Sequence, residues 1–351
     1  MSDTQSSTAK RAEIEFRRKL FEQQVEGQAI FSDEFDGKGI EAILGERIEE
    51  TARRMRSLRD AGVTLSPYLE IGAERCQRSL VMENDLGAAG AAVDISFDML
   101  RSGAHYAKVF KKPNVPLRVC CDANVMPFRT GSMPFVFCFE VLHHFPDPTP
   151  IIAQIHRVLA PGGCFFFAEE PYRQVLRVKL YRSGKIYSRE TLGASRIKRL
   201  FDRFFAEPRC NEVEHGIIEN HDIPLAVWKN ALAPFASRNV TLYSARVIET
   251  PLAPLRNPLK FLAAKLLGGV LSGTCVKAGT LPATTTPVQE NLICPSCLER
   301  GVESSLKSHE GTFACPSCHG TYPVIEGVIF LFSPQKLAEF YPDLIPGTVQ
   351  S

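Results

Sequence analysis

Acidic residues end five consecutive predicted strands in the first half of the chain. They are Glu70, Asp94, Asp122, Glu140 and the adjacent Glu169 and Glu170. The intervals of 24, 28, 18 and 29 residues each match one strand with its following helix. Because parallel sheets bind ligands at the carboxyl ends of their strands, we expect these carboxylates to line one cleft. Their number and type suit a ligand with ribose hydroxyls, an amine and an amino-acid portion.

The turn after the first of these strands has the sequence EIGAERC and contains a single glycine, Gly72. A glycine here lets the backbone approach a ligand at the start of a helix. Asp94 follows 22 residues later, where a carboxylate can accept hydrogen bonds from both ribose hydroxyls. Asp122 ends the third strand, where its side chain could reach an adenine amino group. Together these residues predict a site for S-adenosylmethionine (AdoMet).

Two histidines, His143 and His144, follow the fourth predicted strand, next to the expected position of a second substrate. A histidine with a pKa near neutrality can accept a proton from an attacking group. We therefore predict both as candidate catalytic bases. The alternative is that neither is needed, because proximity and alignment of two reactants can contribute about 7–11 kcal/mol by themselves.

Two CxxC pairs lie near the C terminus, with 17 residues between them. The predicted metal ligands are Cys294, Cys297, Cys315 and Cys318. Four thiolates at this spacing are typical of one tetrahedral zinc ion. A redox function is disfavoured, because the two matched pairs occupy a short tail without a βαβ unit. Since a tail of about 60 residues can bury only a marginal core, structural Zn²⁺ is expected to stabilise it.

Strands and helices alternate along most of the chain and predict an α/β fold. We expect a Rossmann-like, doubly wound, mostly parallel sheet of seven strands. The predicted units are an N-terminal helical extension over 1–60, a sheet domain over 61–280, a linker over 281–290 and a zinc ribbon over 291–351. Residues 172–235 are predicted to cover the acceptor, since 173–203 contain ten Lys or Arg and two acidic residues. A solvated helical surface is the alternative for this basic stretch.

Composition excludes several classes of protein. The 351 residues are 44% hydrophobic and 23% charged with a net charge of +2, which does not indicate a nucleic-acid or anionic-membrane partner. No apolar run approaches the ~20 residues that span a bilayer, and the N-terminal region lacks a secretory pattern. Seven of the eleven cysteines are scattered, which predicts a reducing, cytoplasmic location.

Residues 68–172 resemble the class I AdoMet-dependent methyltransferases, particularly the type 11 group related to quinone-biosynthesis enzymes. The resemblance is carried by LEIGA, VDISFDML, CDANVMPF, FCFEVLHHFPDP and HRVLAPGGCFFFAEEPY. It implies that the cofactor-binding residues are Glu70, Gly72 and Ala73 at the methionine portion, Asp94 at the ribose, Asp122 and Ala123 at the adenine, and also Glu140. The chain departs from the family at Glu74 and Cys76, where glycine is usual.

Residues 291–332 resemble the small zinc-ribbon proteins that activate methyltransferases as separate subunits. The matching segments are LICPSC and ACPSCHGTYPVIEGVIFLF. Here the module is fused to the sheet domain. The resemblance implies a stabilising or substrate-positioning role for the zinc ribbon, with no chemistry at the metal.

The sequence therefore predicts an enzyme that transfers a methyl group from AdoMet to an acceptor. A phosphorylated, nucleotide-linked or lipid-linked small molecule is favoured as acceptor, and RNA is a second candidate. The atom that is methylated and the oligomeric state are not predicted.

Two other functions stay open. A nicotinamide-dependent oxidoreductase would share Gly72 and Asp94 but lacks the GxGxxG sequence, and a non-catalytic adaptor would result if Glu74 and Cys76 closed the cofactor turn.

Overall fold

The computed structural model describes residues 3–26, 39–178, 180–186, 202, 204–209, 211–245, 247–253, 257–309 and 311–344. Two helices, α1 (Asp3–Val25) and α2 (Ile40–Asp60), precede the sheet. Helix α2 buries Leu44, Ile48 and Met55 along one side, as expected for an amphipathic helix that packs on a core. None of the described helices is both long and apolar enough to cross a membrane.

Five parallel strands form the centre of the sheet. They are β1 (Tyr68–Ile71), β2 (Gly90–Asp94), β3 (Leu117–Cys120), β4 (Met133–Phe139) and β5 (Leu159–Tyr172), in the spatial order β3-β2-β1-β4-β5. The connecting helices include α3 (Gln77–Asp85), α4 (Phe97–Val109) and α5 (Thr149–Val158). Every residue of β1 and β4 is buried, because helices cover both faces of the sheet. Strand order reverses between β1 and β4, which is where such sheets bind ligands.

Antiparallel strands complete one side of the sheet. Strand β5 pairs with β10 (Gly269–Val276), β10 with β8 (Ser237–Ser244), and β8 with β9 (Ile248–Pro251). The neighbouring helices are α6 (Asn211–Glu214), α7 (Leu225–Ala231) and α8 (Pro258–Leu267). A separate parallel pair consists of β6 (Tyr181–Ile186) and β7 (Ala206–Arg209). Much of the basic stretch predicted to cover the acceptor, residues 187–201, lies outside the described part of the chain.

The C-terminal tail adds four strands to the opposite side. These are β11 (Lys307–His309), β12 (Thr312–Ala314), β13 (Thr321–Ile325) and β14 (Val328–Phe330), accompanied by helices α9 (Pro295–Leu298) and α10 (Pro334–Phe340). Strand β14 pairs in parallel with β3, with Ile329 opposite Val119. This pairing satisfies the backbone groups that β3 would otherwise expose at an edge.

The predicted count of seven strands is wrong, although the predicted fold class is confirmed. Seven strands, β3-β2-β1-β4-β5-β10-β8, form the expected mostly parallel core. Among the described residues the sheet has twelve strands, because β9 extends one edge and the four strands of the tail extend the other. The tail also shares the hydrophobic core of the sheet, where Leu292, Phe313 and Ile329 belong to the same cluster as Val119. The sequence pattern of the tail does not reveal this, since a strand has the same local pattern whichever strand it pairs with.

The shared core predicts that a defect in the tail destabilises the parallel sheet. Replacing Ile329, which is 2% exposed, with alanine should lower the free energy of unfolding by about 2–5 kcal/mol. Denaturant titration followed by circular dichroism should show one transition at a lower midpoint. Val302→Ala serves as a control, because Val302 lies in the same tail and is 53% exposed; its effect should stay within about 0.5 kcal/mol. A separate transition confined to the tail, with the sheet unaffected, would contradict the shared core.

Candidate cofactor cleft and metal centre

A cleft lies at the carboxyl ends of β1 to β4 and contains about 1090 Å³, part of it open to solvent. It is lined by six of the residues predicted from sequence: Gly72, Asp94, Asp122, Ala123, Glu140 and His144. Three predicted residues, Glu70, Ala73 and His143, are buried and do not line the cleft. Burial raises the pKa of Glu70 to about 8, and its carboxylate accepts a hydrogen bond from Ser79 Oγ at 2.5 Å.

The turn after β1 has the backbone conformation that glycine favours. Gly72 has a φ of +68°, and a Cβ at this position would lie 2.2 Å from a methyl carbon of Val141. Glu74 and Cys76, where the resembled family usually has glycine, have φ angles of 49° and 61°. A side chain in this left-handed region costs roughly 1–2 kcal/mol. The turn therefore keeps a glycine-like shape in spite of its two non-glycine residues.

The Asp94 carboxylate is held by backbone groups on both sides. Its Oδ2 accepts the Glu74 N–H at 2.8 Å, and its Oδ1 accepts the Ser96 N–H at 2.8 Å. Burial raises the pKa of Asp94 to about 6, although the two backbone hydrogen bonds act in the opposite direction. Each oxygen retains a second lone pair for a ligand hydroxyl. Asp94 is thus a fixed acceptor in the wall of the cleft.

Asp122 is bound by lysines from opposite ends of the chain. Lys10 Nζ in α1 lies 2.7 Å from Asp122 Oδ2, and Lys336 Nζ in α10 lies 3.1 Å from the same oxygen. Burial raises the pKa of Asp122, but the two ammonium groups outweigh it and hold that pKa below its usual range. Sequence reasoning missed both lysines, because no local pattern indicates contacts across 112 and 214 residues.

Arginines surround the other end of the cleft. The Glu74 carboxylate accepts from Arg47 Nη1 at 2.9 Å and from Arg75. Burial raises the pKa of Glu74, but Arg75 and Arg47 outweigh it and lower that pKa to about 2. Arg78 also lines the cleft, and its guanidinium lies 4.4 Å from the centre of the Phe139 ring. The buried Nε of Arg78 has no hydrogen-bond partner among the described residues.

The two predicted histidines have different surroundings. Both lie on a short 3-10 helix, Leu142–His144, after β4. His143 is buried between Glu170, 2.9 Å from its Nδ1, and Glu219, 3.2 Å from its Nε2. Burial lowers the pKa of His143, but these two carboxylates outweigh it and raise the pKa to about 10. His144 lines the cleft, so the prediction of a catalytic base rests on His144.

Glu219 is a further candidate residue that sequence reasoning missed. Its carboxylate lies 3.2 Å from His143 Nε2, 3.2 Å from His144 Nδ1 and 3.3 Å from His221 Nε2. Burial raises the pKa of Glu219, but the histidines outweigh it and lower the pKa far below its usual range. The residue lies between α6 and α7, where no recognisable motif surrounds it. Only its contacts with His143 and His144 identify it.

The four cysteines of the tail form a separate cluster. Cys294 Sγ lies 3.5 Å from Cys318 Sγ, and Cys297 Sγ lies 3.7 Å from Cys315 Sγ. These separations are too long for disulfides, whose S–S distance is about 2.05 Å. Four thiolates about 2.3 Å from one tetrahedral zinc ion would lie roughly 3.8 Å apart, which the cluster matches. The four residues therefore fit a structural zinc ion.

We expect one zinc ion per chain to resist dialysis against EDTA. Cys297→Ser should lose this zinc and lower the stability of the whole sheet, because structural zinc supplies about 10–16 kcal/mol in small domains. Elemental analysis and thermal unfolding measure the two effects. Ser296→Ala is the matched control, since it changes the same CxxC pair without removing a ligand. Zinc that is retained by Cys297→Ser, or absent from the unchanged chain purified anaerobically, would contradict the four-cysteine site.

Comparison with solved structures finds several methyltransferases. A complex between the Haloferax volcanii Trm112 methyltransferase activator and a putative methyltransferase has 17% identity and a TM-score of 0.41, covering 70% of this chain and 97% of that chain. A putative sarcosine dimethylglycine methyltransferase from Galdieria sulphuraria has 13% identity and a TM-score of 0.43, covering 75% of this chain and 98% of that chain.

Curated sequences also match the sheet domain. A ubiquinone biosynthesis O-methyltransferase of Xanthomonas oryzae pv. oryzae is 31% identical over 137 residues, which are 38% of this chain and 52% of the relative. An uncharacterized chloroplastic methyltransferase of Arabidopsis thaliana is 36% identical over 91 residues, which are 24% of this chain and 25% of the relative. The chain spans about half the length of the first relative. The family model described as "Methyltransferase domain" matches residues 69–167. The segment that is similar to this family holds the Gly72 turn and the cleft carboxylates Asp94, Asp122 and Glu140.

Proposed function

We propose that the cleft binds AdoMet and that the chain transfers the AdoMet methyl group to an acceptor. The observation that carries this proposal is the position of Asp94. Its carboxylate is fixed by two backbone N–H groups beside the Gly72 turn, at the point where the strand order reverses. Asp94 would accept the two ribose hydroxyls, and the bare backbone of Gly72 would let the methionine portion pass close to the turn.

The remaining residues suit the other parts of AdoMet. The guanidinium of Arg78, which lines the cleft, would donate a charge-assisted hydrogen bond to the AdoMet carboxylate. Glu140, which lines the same wall, would receive the α-amino group. Asp122 and Ala123 would contact the adenine, whose amino group would share the Asp122 carboxylate with Lys10 and Lys336. Glu70 would act from behind the wall by supporting the turn.

Methyl transfer needs little beyond alignment of AdoMet and the acceptor in a closed site. The sulfonium methyl carbon is already electrophilic, so an acceptor held in line with the S–CH₃ bond gains mainly from proximity. Helix α1 contributes Lys10, Glu13 and Arg17 to the cleft and would limit the access of water. His144, which lines the cleft, would lie beside the nucleophilic atom of the acceptor.

The alternatives predicted from sequence have less support. A nicotinamide-dependent oxidoreductase would need further glycines in the turn to admit a pyrophosphate, and Glu74 and Cys76 occupy that segment. A non-catalytic adaptor would need a closed cofactor turn, but the Glu74 carboxylate is held by Arg47 and Arg75 while the cleft stays open. AdoMet binding is therefore the function that the site supports best.

The acceptor is proposed to be a small molecule. The first curated relatives are ubiquinone biosynthesis O-methyltransferases, which favours an oxygen atom as the methyl acceptor. A phosphorylated, nucleotide-linked or lipid-linked molecule remains the favoured class, with RNA second. The cytoplasmic location remains a prediction from the scattered thiols. The acceptor class can be tested by incubating the chain with a fractionated cell extract and AdoMet labelled in its methyl group. The fraction that takes up the label identifies the acceptor class.

We expect calorimetry to detect AdoMet binding, and Asp94→Ala to weaken it about tenfold to a hundredfold. The variant loses charge-assisted hydrogen bonds to the ribose, worth about 1.5–3 kcal/mol. Asp60→Ala is the control, because Asp60 is an exposed aspartate in α2 that does not line the cleft. An unchanged chain that gives neither heat nor a thermal shift with AdoMet would refute the proposed function and favour the adaptor.

AdoMet affinity should also depend on pH through Asp94. The carboxylate is ionised above its pKa of about 6 and neutral below it. As the pH falls through 6, a protonated Asp94 can no longer accept from both ribose hydroxyls, so the dissociation constant should rise. Asp94→Asn removes the titrating group and should flatten this part of the profile. If AdoMet affinity declines with the same slope in Asp94→Asn, the pH dependence belongs to another group.

A further inference from the structure

We propose that His143, His144 and Glu219 bind a divalent transition-metal ion beside the cleft. We further propose that this ion binds the nucleophilic oxygen of the methyl acceptor. The second statement rests on the proposed function, whereas the metal site does not. The site is distinct from the four-cysteine cluster of the tail, since it is formed by the 3-10 helix after β4 and by the segment between α6 and α7.

The three side chains are close enough to share one ion. One ligand atom from each lies within 4.8 Å of the other two. The side chains are only 8–17% exposed, so the ligands are held in place by packing. The 3.2 Å separation between the Glu219 carboxylate and His143 Nε2 is long for a charge-assisted hydrogen bond, which measures about 2.7–2.9 Å. Ligand atoms about 2.1 Å from one tetrahedral ion lie roughly 3.4 Å apart, which agrees better with the observed spacing.

The ring of His144 turns its Nδ1 toward Glu219 Oε1, at 3.2 Å, and toward the Ile218 carbonyl oxygen, at 3.0 Å. The ring of His143 is oriented as metal sites require, since its Nδ1 lies 2.9 Å from the Glu170 carboxylate. If this Nδ1 donates its proton to Glu170, Nε2 of His143 carries a lone pair for a metal. Metal-binding histidines usually donate their other N–H to a carboxylate or a carbonyl in this way. Glu170 is itself fixed by the backbone N–H groups of Val141 and Leu142.

The ligand types favour zinc or a neighbouring transition metal over magnesium. Two imidazoles and one carboxylate are the protein ligands of many zinc sites that leave a fourth position open for water or substrate. Magnesium prefers oxygen ligands in an octahedral arrangement, which this group does not offer. His144 is the ligand that lines the cleft. The open position is therefore expected to be accessible to an acceptor.

The ion would make an acceptor hydroxyl a better nucleophile. A transition-metal ion lowers the pKa of a bound hydroxyl, which releases its proton to solvent. The resulting oxygen forms a bond to the methyl carbon of AdoMet while the S–CH₃ bond breaks, and that electron pair stays on sulfur. The products are a methyl ether, neutral S-adenosylhomocysteine and one proton. This step requires an oxygen acceptor that can bind a metal, such as a phenol or an enol.

Titration with Co²⁺ tests the metal site directly. The full chain should first be loaded with zinc at the four-cysteine cluster and washed with EDTA to clear weaker sites. Added Co²⁺ should then give saturable visible absorption without the near-ultraviolet thiolate charge-transfer band of a cysteine site. His144→Ala and Glu219→Gln should each abolish this signal. Glu170→Gln, which removes no ligand, should weaken Co²⁺ binding about 10–100-fold.

His105→Ala is the matched control, because His105 is an exposed histidine of α4, and it should keep the full signal. Circular dichroism confirms that each variant is folded. No cobalt spectrum in the unchanged chain, or a spectrum that persists in His144→Ala, would overturn the site. Calorimetry with AdoMet on the same samples separates the two proposals: cobalt binding without AdoMet binding refutes only the methyltransferase function, and AdoMet binding without cobalt binding refutes only the metal site.

Discussion

Parallel pairing of β1 with both β2 and β4 is the constraint on which the rest of the structure depends. Together with the parallel pairing of β2 with β3, it places the carboxyl ends of four strands at one end of the sheet, where the chain continues through turns. Gly72 and Asp94 therefore meet although 21 residues separate them in sequence. The left-handed conformations of Glu74 and Cys76 follow from the same constraint, because the turn must reverse direction before α3 begins.

Burial of carboxylates at this end of the sheet requires compensating charge from distant segments. Asp122 is neutralised by Lys10 and Lys336, which lie near opposite ends of the described chain. Glu74 is neutralised by arginines. A buried carboxylate without such partners would take up a proton, so these contacts keep the carboxylates ionised.

The tail is connected to the cleft in two physical ways. Strand β14 continues the sheet at β3, and Lys336 of α10 contacts the Asp122 carboxylate just beyond the end of β3. Helix α1 contacts the same carboxylate through Lys10. The segments that precede and follow residues 69–167 therefore converge on the predicted adenine end of the cofactor site. This arrangement gives the C-terminal tail a structural reason to be joined to the sheet.

Local pattern was sufficient to predict the alternating strands and helices, the six cleft residues that include Gly72 and Asp94, and the four clustered cysteines. Each depends on periodicity or on a short spacing that can be read along the chain. Local pattern could not predict three features: the contacts of Lys10, Lys336 and Glu219, the twelve-stranded sheet, and the burial of Glu70 and His143. They arise from packing between segments that are far apart in sequence, and a strand edge, a lysine or a glutamate has the same local pattern whichever distant partner it meets. The fold class was thus accessible from the sequence, whereas the partners of the charged residues became apparent only from the folded chain.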